Sequence, residues 1–268
     1  MRAYAPVFLF FAATAAVAQT AQVPPPAVTN GGVTSTAGPS TGQAVAPGSL
    51  VSIFGTNLAS TTAAAGTVPL STTLSGVGVT VNNIAAPIQF ISAGQINIQL
   101  PWEVTPSATS AQVVVTRDDG MISAPANVTV AASAPAIFSI GGQAIALNSD
   151  GSLAAPAGGI PGIATHPAKI GDPGGLAILA TGLGAVDQPI VDGANSADMT
   201  RNALTPVTVM IGGVAAQVTF SGLSPQFVGI NQINVIIPPG TPTGNAVTLQ
   251  IQVNGTINSN PVSIAVSQ

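Results

Sequence analysis

The chain has 268 residues, 46% of them hydrophobic and 4% charged, with four cations against eight acids. Packed cores are affordable at this length, but so few scattered cations supply no basic face for nucleic acid. With no cysteine and one histidine, His166, the chain has no disulfides or thiolate metal sites and little room for Ser-His-Asp or Cys-His catalysis.

Residues 1–18, MRAYAPVFLFFAATAAVA, read as a secretory signal peptide: Arg2, then an apolar run from Val7 to Val17, then the small-x-small ending Ala16-Val17-Ala18. The stretch is too short and wrongly flanked for a stable membrane span, and the alternative is an uncleaved N-terminal anchor. Cleavage leaves Arg117, Lys169 and Arg201 as the cations and places the protein outside the cell or on the envelope surface. Residues 19–44 are rich in Pro, Gly, Ser and Thr, lack hydrophobic periodicity, and read as a flexible or semi-extended spacer.

From residue 45 the pattern is that of strands. Val77, Val79 and Val81 alternate, AQVVVTRDDG runs into a turn at Asp119-Gly120, and Leu249, Ile251 and Val253 alternate before Asn254-Gly255. No helical period persists for more than a turn or two after the leader, and 23 prolines oppose one.

An internal repeat organises these strands. VTVNNIAAPIQF, from Val79 to Phe90, aligns without gaps on VMIGGVAAQVTF, from Val209 to Phe220. Asn82-Asn83 in the first and Gly212-Gly213 in the second are residue types that accept the two positive φ angles of a type I′ hairpin turn. Further on, QINIQLP and QINVIIP align Gln95 and Asn97 with Gln232 and Asn234, the second copy carrying seven extra residues around LSPQFVG. Each copy spans about 90 to 100 residues with about seven strand-like segments, the size of an immunoglobulin-like sandwich. The predicted fold is all-β: two tandem immunoglobulin-like β-sandwich domains, residues 45–133 and 171–268, joined by a structured connector over 134–170. That connector contains a hairpin around Gln143 to Gly151.

The segments APGSLVSIFGTNLA, GVGVTVNNIAAPIQFISAGQINIQLPWEV, APAIFS, ALNSDGSL, ATGLG and GLSPQFVGINQINVIIPPG together resemble a C-terminal domain found repeatedly in secreted proteins of Solibacter-type acidobacteria. Its unit is similar to the IPT/TIG branch of immunoglobulin-like folds. The resemblance covers Val45 to Gln268; it implies export and a β-sandwich and brings no catalytic residues.

Candidate chemistry is sparse. Asp118, Asp119 and Asp150 fall in turns, where Asp is favoured for local hydrogen bonding, which explains them without glycoside hydrolysis. TGLGAV lacks the third glycine and the following helix of a dinucleotide fingerprint. The acidic loop VDQPIVDGANSADMT offers Asp187, Asp192 and Asp198 as oxygen ligands for calcium, the one metal the sequence suggests; the spacing is not that of an EF-hand, and a polar loop between strands needs such residues in any case, which favours a structural or solvating use. For binding, the residues that differ between the copies stand out: Trp102 and Glu103, and Gln226 and Phe227 in LSPQFVG.

In Gln95–Gln99 alternate side chains face opposite ways, with Ile96 and Ile98 inward and Gln95, Asn97 and Gln99 outward. The amides repeated in both copies are expected to hydrogen-bond backbone groups at the strand entrance, with direct ligand binding as the alternative. Two functions remain: a non-catalytic structural, adhesion or protein-interaction module that contacts a protein or extracellular polymer, self-association included, or a carbohydrate-binding module supported by calcium. Low charge and edges without protecting lysines favour the first, and scarce aromatics weigh against the second.

Overall fold

The computed structural model describes residues 23–38, 44–106 and 110–268; the expected signal peptide lies outside them. The described residues form strands joined by turns and loops, and among them no helix is long and apolar enough to cross a membrane. The longer strands are β1 (Ala27–Ser35), β2 (Leu50–Thr56), β3 (Val77–Val81), β4 (Ile88–Ile91), β5 (Gln95–Gln99), β6 (Ala111–Thr116), β7 (Leu176–Thr181), β8 (Val207–Ile211), β9 (Val214–Leu223), β10 (Asn231–Ile236), β11 (Gly244–Val253) and β12 (Val262–Ser267).

In the N-terminal half, β1-β2-β5-β4 form one sheet, closed at its edge by Ala63–Ala64, and Ala126–Val128, β6, β3 and Thr73–Leu74 form the other. Their inward β-branched residues, among them Ile53, Ile96 and Ile98 from one sheet and Val79, Val81, Val113 and Val115 from the other, make one core. The alternation Val77, Val79, Val81 is buried at each of those positions and only partly buried between them, as a strand with one face inward requires.

The C-terminal half repeats the pairing. Where β2, β5 and β4 pair in the first half, β7, β10 and β9 pair in the second; β3 with β6 becomes β8 with β11. Even the register shift recurs, between Ile88 and Phe90 in one copy and Val218 and Phe220 in the other. The hairpin turns Asn82-Asn83 and Gly212-Gly213 all lie at positive φ, 49° and 66° in the first and 58° and 83° in the second. Strand β9 is long enough to serve two sheets: Val214 to Ala216 pair with β8, and Gln217 to Leu223 pair with β10.

Two segments differ from the sequence reading. The spacer expected over 19–44 contains β1, which pairs with β2 and buries Val33, Thr34 and Ser35. Its bulge between Val28 and Val33, around Gly31 at φ 69°, interrupts the alternation that would have revealed a strand. Arg117, itself buried, anchors the segment ahead of β1 by donating to the Pro24 carbonyl at 2.7 Å while pairing with Asp119. The connector expected over 134–170 does contain hairpins, but its strands are members of the second half's sheets: Ala136–Ile137 and Ala146–Asn148 pair with β7, and Gln143–Ala144 and Ala168–Lys169 pair with β12. Ile137, Ala144, Ala146, Ala154 and Ala168 accordingly lie in the second core.

Candidate functional site

Among the described residues the repeated amide side chains bond each other and not backbone, contrary to the expectation from sequence. Gln95 donates from Nε2 to Asn97 Oδ1 at 2.8 Å, and Gln232 donates to Asn234 Oδ1 at 2.9 Å, so each copy carries the same side-chain pair along one face of its strand. The surroundings differ. In the first half Ser52 on β2, opposite Asn97, donates its hydroxyl to Asn97 Oδ1 at 3.0 Å and is tied to Thr36 at 2.9 Å. The residue opposite Asn234 is Ala177, which has no hydroxyl to offer.

A groove of about 320 Å³ opens over the amide pair of the second half. Ala177, Leu179, Gln232 and Asn234 form part of its floor and wall, Asn148 and Ser149 one side, and Gln226 and Phe227 another. Phe227 is 45% exposed. It comes from the longer LSPQFVG loop, so the first half has no equivalent.

Features that differ between the copies also meet at a junction between the halves. Thr181, fully buried at the end of β7, accepts the Leu50 N–H at 2.9 Å and donates to the Gly229 carbonyl at 2.6 Å. Gln99 uses Oε1 to accept the Gly193 N–H at 2.6 Å, and Leu70 donates its N–H to the Gly193 carbonyl at 2.8 Å. Gly193 sits at φ 79°, where a Cβ would fall 2.5 Å from the Leu70 carbonyl oxygen, so this close approach needs glycine. The second copy has Ile236 in place of Gln99, which is why the amide repeat is two residues long and not three.

Trp102 and Glu103 work at this junction. The indole, half-buried, lies over Gly48, so that a Cβ there would fall 2.2 Å from ring carbons. The backbone N–H of Trp102 donates to Asp192 Oδ1 at 3.0 Å. Burial pushes the Asp192 carboxyl up to about 6; the Trp102 N–H opposes this and the neighbouring Glu103 carboxyl adds to it. The indole thus packs on the backbone at Gly48 while staying partly exposed.

The three acids suggested for calcium do not converge. Asp187 accepts from the Asn202 amide N–H at 2.9 Å and its side chain at 2.7 Å, and Asp192 faces Trp102. Asp198 takes both guanidinium nitrogens of Arg201, at 2.6 and 3.0 Å, which holds its carboxyl down at about 2. Among the described residues no group of three or more acids or histidines is placed to hold a metal. His166 meets Asp150 at 2.9 Å, and Asp150 in turn accepts from Ser152 at 2.7 Å. Acyl transfer needs the imidazole between hydroxyl and carboxylate, whereas here the carboxylate stands between.

The two sheets around the first core coincide with a match to the model of the IPT/TIG domain over residues 33–130. Residues 33–130 form an IPT/TIG domain. The IPT/TIG domain is a non-catalytic immunoglobulin-like sandwich, in keeping with the all-strand architecture. A search of curated proteins returns no match. Among solved structures, the chain is similar to the Bacteroides ovatus mixed-linkage glucan utilization locus protein SGBP-B, in complex with a mixed-linkage heptasaccharide. The identity is 13%, over 84% of this chain and 42% of that one, with a TM-score of 0.33. It is also similar to the γ-CGTase of alkalophilic Bacillus clarkii, 12% identical over 91% of this chain and 26% of the other, TM-score 0.28. The plexin A4 extracellular region is 14% identical over 90% and 18%, TM-score 0.24. The chain thus spans less than half the length of each, and these distant likenesses do not bear on what it binds.

Proposed function

We propose that the chain is an exported, non-catalytic interaction module in which the IPT/TIG domain is followed by a second unit of the same kind, the pair being seated on each other at the Thr181 junction. The resemblance to domains of secreted Solibacter-type proteins and the leader-like residues 1–18 support export. No cofactor is needed in this reading, since the acids suggested for calcium already have protein partners.

The observation that carries the proposal is an apolar groove of about 530 Å³ built by both halves. Val68 and Pro69 come from the IPT/TIG domain, and Pro189, Ile190, Val191 and Ala194 from the acidic loop. Val68 is 51% and Val191 69% exposed, and the groove's charges, Asp198 and Arg201, neutralise each other. Exposed apolar surface of this kind suits a protein contact, and a lining whose two charges are paired with each other suits an uncharged apolar partner. A second copy of the chain presents just such a surface. Sedimentation velocity on the full chain at rising concentration is expected to show a dimer that Val191→Glu abolishes. A chain that stays monomeric throughout the concentration series would overturn the reading.

A further inference from the structure

The groove over Gln232 and Asn234 is separate from the apolar groove and has different chemistry. None of its lining residues is ionisable. Two carboxylates adjoin them in the chain, and both have protein partners: Asp172 accepts the Gly174 N–H at 2.9 Å and the Ser149 hydroxyl at 3.4 Å, and Asp150 accepts from Ser152 and meets His166. The amide pair presents acceptors and a donor toward the groove: with Gln232 Nε2 given to Asn234 Oδ1, the second lone pair of that Oδ1, together with Gln232 Oε1 and Asn234 Nδ2, has no protein partner among the described residues. An acceptor beside a donor is the complement of a hydroxyl group, which both gives and takes a hydrogen bond. Phe227 adds an exposed aromatic face, and the volume falls at the low end of the ~300–1,000 Å³ range of small-ligand sites.

The first half serves as an internal control for this chemistry. There Asn97 Oδ1, which already takes Gln95 Nε2, is capped by a second donor, because Ser52 gives it a hydroxyl and is itself held by Thr36. Ser52 is 2% exposed, whereas Ala177 at the matching position stays partly open. The IPT/TIG domain thus fills with its own hydroxyl the lone pair that Asn234 Oδ1 leaves open in the second half, and a foreign hydroxyl could donate to that oxygen.

We propose that this groove binds a neutral carbohydrate, with Phe227 against the apolar face of a sugar ring and Gln232 and Asn234 holding its hydroxyls. The site does not depend on the self-association proposed above. The test is calorimetric titration of the full chain with cellohexaose, laminarihexaose, xylohexaose, maltohexaose and mannohexaose, with oligogalacturonate as an anionic counter-probe. At least one neutral probe is expected to bind, oligogalacturonate is not, and Phe227→Ala and Asn234→Ala are each expected to weaken binding about tenfold. Ala177→Ser restores the hydroxyl that the first half tolerates, so it should fold normally, cap Asn234 and weaken binding about fivefold with the melting temperature unchanged. No heat with any neutral probe at about 10 mM, preference for the anionic probe, or unchanged affinity in well-folded Ala177→Ser would overturn the proposal.

Discussion

Replacing Thr181 by valine removes one hydroxyl with little change in volume, so a cavity contributes almost nothing to the cost. What is lost is the bridge from the Leu50 N–H to the Gly229 carbonyl, at 2.9 and 2.6 Å around a fully buried side chain. Each buried backbone group left without a partner costs about 1–3 kcal/mol, so two of them cost about 2–4 kcal/mol once some relaxation is allowed. For a chain of this size that corresponds to a fall in melting temperature of about 5–15 °C. Thr181→Ser keeps the bridge and loses a methyl group, so it should cost only about 1 kcal/mol. Differential scanning calorimetry of both variants beside the parent chain measures the difference. A valine variant that melts within about 1 °C of the parent, or below which the serine variant melts, would show that the bridge does not stabilise the junction.

Two further outcomes follow from the acids. Asp192 has a native value raised from 3.8 to about 6, so between these values the folded state binds more protons than the unfolded one. Its contribution is full below pH 3.8 and is lost as pH rises through about 6. The groups held low, Asp119 by Arg117, Asp187 by Asn202 and Asp198 by Arg201, act the other way, losing their contribution as pH falls below the ordinary carboxylate value. Asp192→Asn, which keeps an oxygen for the Trp102 N–H, is expected to make melting temperature rise more steeply with pH between 4 and 6 than in the parent; parallel curves would contradict this. EDTA should leave the thermal transition within about 1 °C of its position, and a clear fall reversed by calcium would restore a metal role for the acidic loop.

The all-strand character and the duplicated β-hairpins were legible because they rest on local rules: alternation at Val77, Val79 and Val81, and residue pairs that accept positive φ at 82–83 and 212–213. β1 was not, since the bulge at Asn30-Gly31-Gly32 breaks its alternation and its buried residues include Thr34 and Ser35. The amide pairs were visible as a repeat, but their partners were misjudged. A strand places i and i+2 on the same face, and two long amides there reach each other more readily than the backbone beyond. The empty place beside Asn234 could be found only from register, which sets Ser52 against Asn97 and Ala177 against Asn234. Nothing in a strand pattern reveals that Thr181 will meet Leu50, because that contact joins residues 131 apart.

Most of the bonds described across the junction join neutral groups. Thr181, Gln99 and the carbonyl of Gly193 are neutral, and they take their hydrogen bonds from backbone amides. Mobile ions weaken contacts between exposed charges separated by more than about 10 Å at 0.1 M salt, and they have little purchase on buried bonds between dipoles. The charged partner described at the junction is Asp192, held by the Trp102 backbone N–H beside Glu103, so salinity should reach the setting of the two halves mainly through that pair and hardly at all through the neutral bonds.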